Sequence, residues 1–204
     1  MKAIYYLALL LFTSSLFACT TDEVNENSNL PALANDTKNS LLLMREEEKL
    51  AHDVYVTLYE KWGLPIFDNI SASEQRHTDA VLDLLEARGL SDPAAGLGRG
   101  EFNNADYAKL YKELVEKGSL SLMDALIVGA TIEDLDLYDL DVWMTKITDA
   151  DIISVYQNLA KGSRNHLRAF YSQISSRDGS YKAQFISQQK MDEIVNSPKE
   201  MGRI

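Results

Sequence analysis

Two of the chain's three histidines stand where a helix would aim them inward, among apolar residues and close to a carboxylate. Read at helical spacing, Ile70, Glu74, His77, Val81 and Leu84 share one stripe, with Glu74 and His77 as its polar members. Ile152, Tyr156, Leu159, Ser163, His166 and Phe170 form a second stripe of the same kind. A third is Leu122, Leu126, Gly129, Glu133, Leu137 and Leu140, with Asp136 three residues after Glu133 near the same face. A fourth is Leu41, Met44, Glu48, Ala51, Tyr55, Leu58 and Trp62. Ionised carboxylates on apolar seams lose hydration when buried. A divalent metal or metal pair would neutralise them and use the imidazoles at once, which makes Glu48, Glu74, His77, Glu133, Asp136 and His166 candidate ligands.

Each of these residues also has a plainer reading. Glu74 and His77 can be a polar pair facing water, and His166 a core histidine bonded to backbone. Glu133 can belong to a solvated acidic run with Asp134, Asp136, Asp139 and Asp141. In the first stripe Glu46, Glu47 and Glu48 are consecutive, and Leu43, Leu50 and Val54 place Glu47 near the middle of a wide apolar arc. Hydrophobic pattern alone slightly prefers Glu47 over Glu48. His52, one turn beyond Glu48, reads as a neighbour that supports the ligands, as an extra ligand or as a surface residue.

The elements that must position these residues are helices. Glycine and proline are scarce, 10 and 4 in 204 residues, and they fall between the periodic stretches. The pattern predicts a helix from about Leu41 to Trp62, stopped by Gly63, and a second from about Ser71, a candidate N-cap, to Arg88. Residues 89–100 are breaker-rich loop, followed by a short helix over Ala105 to Lys117. Two long helices follow, from Ser119 to about Met144 and from Asp149 to about Ser175. This describes an all-α domain: a four-helix bundle with one long crossover connection that contains a short extra helix. Trp62 and Trp143 read as packing residues. The formal charge of −11, with no basic stripe, argues against nucleic acid as a partner.

The seam residues resemble the ferritin-like di-iron superfamily, in which Glu, Glu-x-x-His, Glu and Glu-x-x-His stand on successive helices. Glu48, followed seven residues later by Tyr55, matches the first helix of that pattern, which favours Glu48 over Glu47 as ligand. Glu133-x-x-Asp136 is similar to the doubled acidic pair of rubrerythrins. More narrowly, REEEKLAHDVY, SEQRH, VGATIEDLDL and GSRNHLRAF look like an uncharacterised ferritin-like domain family of bacteria and archaea, over roughly residues 40–175. The resemblance implies iron, two ions per chain or one, with manganese as the other candidate metal. It implies an oxidoreductase acting on peroxide, oxygen or ferrous iron, and it is compatible with a homodimer. Rubrerythrin-like catalysis draws electrons, often from an attached rubredoxin with four cysteines; this sequence has one cysteine, so catalysis would need a separate electron donor. One departure stands out: Ser163 occupies the place of the fourth helix's glutamate. Asp136 would restore the count at four carboxylates and two imidazoles, whereas without it a one-metal site follows. The other class of reading is a non-catalytic metal-binding or interaction bundle.

The first residues are of another character. Lys2 precedes an apolar stretch, Ile4 to Phe12, too short for an ordinary membrane span. Leu16-Phe17-Ala18-Cys19 then resembles the lipobox of bacterial lipoproteins, which implies cleavage before Cys19 and a lipid on it; an ordinary signal peptide is the alternative. Loss of residues 1–18 leaves 19 basic and 31 acidic residues, a net of −12. The expected organisation is a signal peptide (1–18), a polar tether (19–40), the bundle (41–175) and a C-terminal extension (176–204) packed loosely on it. The expected place is an outer membrane, on its periplasmic face or at the cell surface, since Asp22, Glu23 and Glu26 resemble a surface-export signal. A tether on every subunit would hinder a closed storage shell.

Overall fold

The computed structural model describes residues 34–202, with six helices and no strand among them. They are α1 (Asn35–Trp62), α2 (Pro65–Glu86), α3 (Ala105–Gly118), α4 (Leu122–Lys146), α5 (Ala150–Ser175) and α6 (Gln188–Asn196). The expected signal peptide, Cys19 and the first part of the tether lie outside the described residues. No described helix is long and apolar enough to cross a membrane.

Four of these helices pair around one core, and their contacts fix the order. A two-residue link, Gly63 and Leu64, folds α2 back along α1, so that Tyr55 meets Phe67 at one end and Arg45 donates to the Thr78 carbonyl at the other. Helix α4 also runs antiparallel to α1: the Tyr55 hydroxyl lies 3.2 Å from the Gly129 carbonyl, and the acidic residues around Glu47 meet Asp139. Helix α5 returns along α4 and packs antiparallel to α2, with Phe170 on Phe67 and His166 beside Glu74. The ring order is therefore α1, α2, α5, α4, and the connection from α2 to α4 must cross the diagonal. Helix α3 lies in that connection and packs on both α1 and α4.

Buried polar residues of α1 hold the crossover in place. Arg45 forms a two-point ion pair with Asp92 at 3.0 Å, and Lys49 donates to the Gly98 carbonyl at 2.8 Å and ion-pairs with Asp53. Asp53 in turn accepts from the Gly100 amide at 2.9 Å. The seam glycine Gly129 has a packing reason, since a Cβ there would lie 2.4 Å from the Phe170 ring.

Three sequence expectations need correction. Helix α1 begins at Asn35, not near Leu41, because Thr37 and Ser40 find partners on the far side of the core. Thr37 donates to Asp149 and Tyr156 donates to Ser40, so the end of the expected tether is helix. Helix α2 begins at Pro65, where a fixed φ and a missing N–H suit the first turn. Ser71, the expected N-cap, is buried inside the helix and donates to the Asp68 carbonyl. The C-terminal extension is not loosely packed. Asp134, fully buried on α4, accepts from the Tyr181 hydroxyl and from the amides of Gln184, Phe185 and Ile186. Beyond α6, Glu200 accepts from Arg164 at 2.5–2.7 Å and from Arg168 at 3.0 Å.

Candidate metal centre

The carboxylates and imidazoles of the seams meet near mid-length of the four long helices. The consecutive glutamates of α1 are all buried, and each faces a different partner. Glu46 accepts from the Asn104 amide at the start of α3, and Glu47 accepts from the Tyr107 hydroxyl at 3.3 Å and pairs with Asp139. Only Glu48 points at the α2 histidine, its Oε2 lying 3.2 Å from His77 Nδ1. Geometry thus sides with the Tyr55 spacing and against the apolar arc.

Glu74 stands between the two histidines. Its Oε2 lies 2.8 Å from His77 Nδ1, and its Oε1 lies 2.7 Å from His166 Nδ1. Glu133 Oε2 approaches His166 Nδ1 from the other side at 3.4 Å. Two triads result, Glu48–Glu74–His77 and Glu74–Glu133–His166, each with ligand atoms within 4.8 Å of one another and each wholly buried. They share one carboxylate. The imidazoles are stacked, with centroids 5.5 Å apart and planes at 24°.

Several of these atoms have no hydrogen-bond partner: Glu48 Oε1, Glu74 Oε1, His166 Nδ1, His77 Nε2 and Asp136 Oδ1. Glu74 Oε1 and His166 Nδ1 face each other at 2.7 Å without hydrogen-bond alignment. Unpaired buried polar atoms are costly, and a set of carboxylate oxygens and imidazole nitrogens left over in one place suits a divalent transition metal. The donor set fits that group.

Asp136 and Ser163 stand together beside the two triads. Ser163 gives its hydroxyl proton to Asp136 Oδ2, and its oxygen lies 3.1 Å from the Leu159 carbonyl. That leaves Asp136 Oδ1 buried and unpaired, close enough to Glu48 to feel its charge. Tyr55 donates to Glu133 Oε1 at 2.5 Å and so orients that carboxylate. His52 is not at the centre: it sits half-buried against Asp53 at 3.0 Å. The sequence reading missed Tyr107, Asp139 and Gly162. A Cβ on Gly162 would lie 2.5 Å from His77 Nε2, so this mid-helix glycine makes room for the imidazole. A glycine one residue before Ser163 in a helical stripe was the available signal.

Burial and crowding set the charges. Burial pushes Glu48 up to about 7, although His77 pulls the other way. Burial also raises Asp136 and Glu133, with Glu48 and Glu74 respectively adding repulsion. Glu74 goes the other way, because two imidazolium neighbours overcome its burial and hold it well below the usual carboxylate range. Burial alone would lower the histidines, but Glu74 and Glu133 push His166 up to about 10, and Glu74 and Glu48 raise His77. The metal-free centre therefore keeps its protons on the imidazoles. A bound metal would displace them.

Residues 37–198 match the family described as an uncharacterised protein domain, DUF2202. The chain belongs to the DUF2202 family. The uncharacterised protein MJ0754 of Methanocaldococcus jannaschii is 51% identical over 177 residues, which are 86% of this chain and 96% of that protein. The crystal structure of hypothetical protein MJ0754 superposes with a TM-score of 0.82 at 49% identity, covering 86% of this chain and all of the other. The match thus places the six-helix, strand-free architecture and its buried acidic and histidine groups within a DUF2202 domain.

Proposed function

We propose that the chain is a ferritin-like metal protein whose centre holds two ions, iron foremost and manganese as the alternative, and that it acts as an oxidoreductase on a small oxidant or on ferrous iron. The observation that carries this reading is Glu74, whose two oxygens each stand beside a different histidine. One carboxylate shared by two triads suits a metal pair. Ring order with a diagonal crossover supports the ferritin-like bundle as the frame. Glu48 and His77 would hold one ion and Glu133 and His166 the other. Asp136, steadied by Ser163, offers Oδ1 from α4 in place of the carboxylate that α5 lacks.

Bound iron would supply one electron per ion on passing from ferrous to ferric, and a separate donor would return them. The chain's own part is to bind, orient and exclude water. Tyr55 fixes Glu133, Gly162 admits His77, and the apolar seams keep the carboxylates dry. A lipid anchor on Cys19 and an exported location belong to the same proposal, carried by Leu16 to Cys19.

Anaerobic loading with ferrous iron, followed by metal analysis, tests the reading. Two ions per chain are expected, falling to about one in Asp136→Ala. Ser163→Glu should restore the pair in that background. Trace metal in both wild type and Ser163→Glu would refute the proposal and leave an interaction bundle.

A further inference from the structure

A cavity of about 50 Å³ opens between α1, α3 and α4 directly onto the centre. The buried carboxylates of Glu47, Glu48, Glu74, Glu133 and Asp136 form its floor, and the buried side chains of Leu50, Ala51 and Ile132 form its walls. Its rim is half-exposed and apolar: Leu110 and Leu114 of α3, Leu135 of α4, and Phe185 of the C-terminal segment. The only hydroxyl on the rim is already engaged. Thr131 Oγ1 donates to the Ile127 carbonyl at 2.8 Å and accepts from Gln184 at 2.7 Å.

These features select by polarity. A hydrated cation crossing the apolar rim would shed water with no partner there to replace it, and an anion would meet five carboxylates. A strongly hydrogen-bonding neutral molecule would find the one rim hydroxyl occupied. Against the ~10–15 Å³ that one water needs, about 50 Å³ leaves room for a few heavy atoms. We infer that this cavity is a binding site and entrance for a small apolar molecule, dioxygen, with Leu110, Leu114, Leu135 and Phe185 as the collar that admits it. Metal ions must then reach Glu74 by another path. Phe185 is held in the collar because its own amide and those on either side are tied to Asp134, which makes the C-terminal segment part of the entrance. What the molecule does on arrival rests on the metal reading above; its binding does not.

The test uses the full chain without metal and dioxygen itself as the probe. Paramagnetic relaxation of methyl resonances is measured under dioxygen pressure. Methyls of Leu50, Ala51 and Ile132 should relax several-fold faster than equally buried methyls elsewhere, such as Leu41, Leu85 and Leu159. Leu114→Trp, which fills the rim, should remove most of that excess, and Phe185→Ala should increase it. Phe185→Trp serves as the blocking variant if Leu114→Trp does not fold. Equal relaxation at both sets of methyls, or an excess that blocking the rim leaves unchanged, would overturn the inference. Failure of metal uptake would be seen separately in the metal content of the same protein.

Discussion

Replacing Gly162 by alanine separates helix propensity from site geometry. In mid-helix the change gains about 1 kcal/mol from propensity, but forcing an atom into a filled core costs about 1–3 kcal/mol, so the metal-free chain should lose roughly 0–2 kcal/mol. The structure says where the cost falls. The new methyl would lie 2.5 Å from His77 Nε2 and 2.6 Å from Cε1, well inside contact distance. The imidazole is fully buried and packs against His166, so it can yield only by swinging its Nδ1 away from Glu48 and Glu74. Metal affinity should therefore fall more than stability does, by ~10–100-fold, the usual effect of disturbing a ligand's support. Thermal melts of metal-free protein and titration with manganese under matched conditions give the two numbers. A Gly162→Ala protein that melts higher and binds metal as tightly as wild type would refute the reasoning.

The charge state of the centre predicts a pH dependence with a definite sign. Folded His166 holds its proton up to about 10 against an ordinary 6.5, so its contribution to metal-free stability is complete below 6.5 and lost as pH climbs through 10. Glu48, raised from 4.5 to about 7, likewise favours the folded form at low pH, and that help is gone above 7. The metal-free melting temperature should fall between pH 7 and 10, while metal affinity should weaken as pH falls below 10, where the imidazoles must give up protons, and more steeply below 7, where Glu48 must as well; a flat affinity profile would contradict this. Asp134→Ala should cost at least about 3 kcal/mol, because it leaves three amides and a tyrosine hydroxyl unpaired, and limited proteolysis should then cut near residues 181–186. Cys19→Ala should abolish lipid labelling and membrane partition in a lipoprotein-processing bacterium; equal partition without label in both forms would contradict the anchor.

Much of the centre was legible because it sits on helical seams. Placing polar residues on apolar stripes found Glu74, His77, Glu133 and His166, since local periodicity decides which way they point. The same logic wavered at α1. Glu46, Glu47 and Glu48 are 3%, 5% and 2% exposed, so this helix is covered nearly all round and its pattern has little contrast. What distinguishes the three is their partners on α2, α3 and α4, and such partners are invisible to periodicity. The acidic run of α4 misled for a related reason. Asp134 and Asp136 are buried, one capping backbone amides fifty residues downstream and the other taking a serine hydroxyl from α5. Ser71 looks like the N-cap of the second helix, but Pro65, coming after a two-residue link, serves equally well as its first residue. Polarity alone suggests a tether at residues 35–40, but two hydroxyls there bond to α5 and its N-cap residue.

The central claim is that Glu74 joins two metal ions, and anomalous diffraction from crystals loaded anaerobically with ferrous iron tests it most directly. The account predicts two anomalous peaks, one among Glu48, Glu74 and His77 and the other among Glu74, Glu133 and His166. A single peak, or peaks that do not involve Glu74, would contradict it.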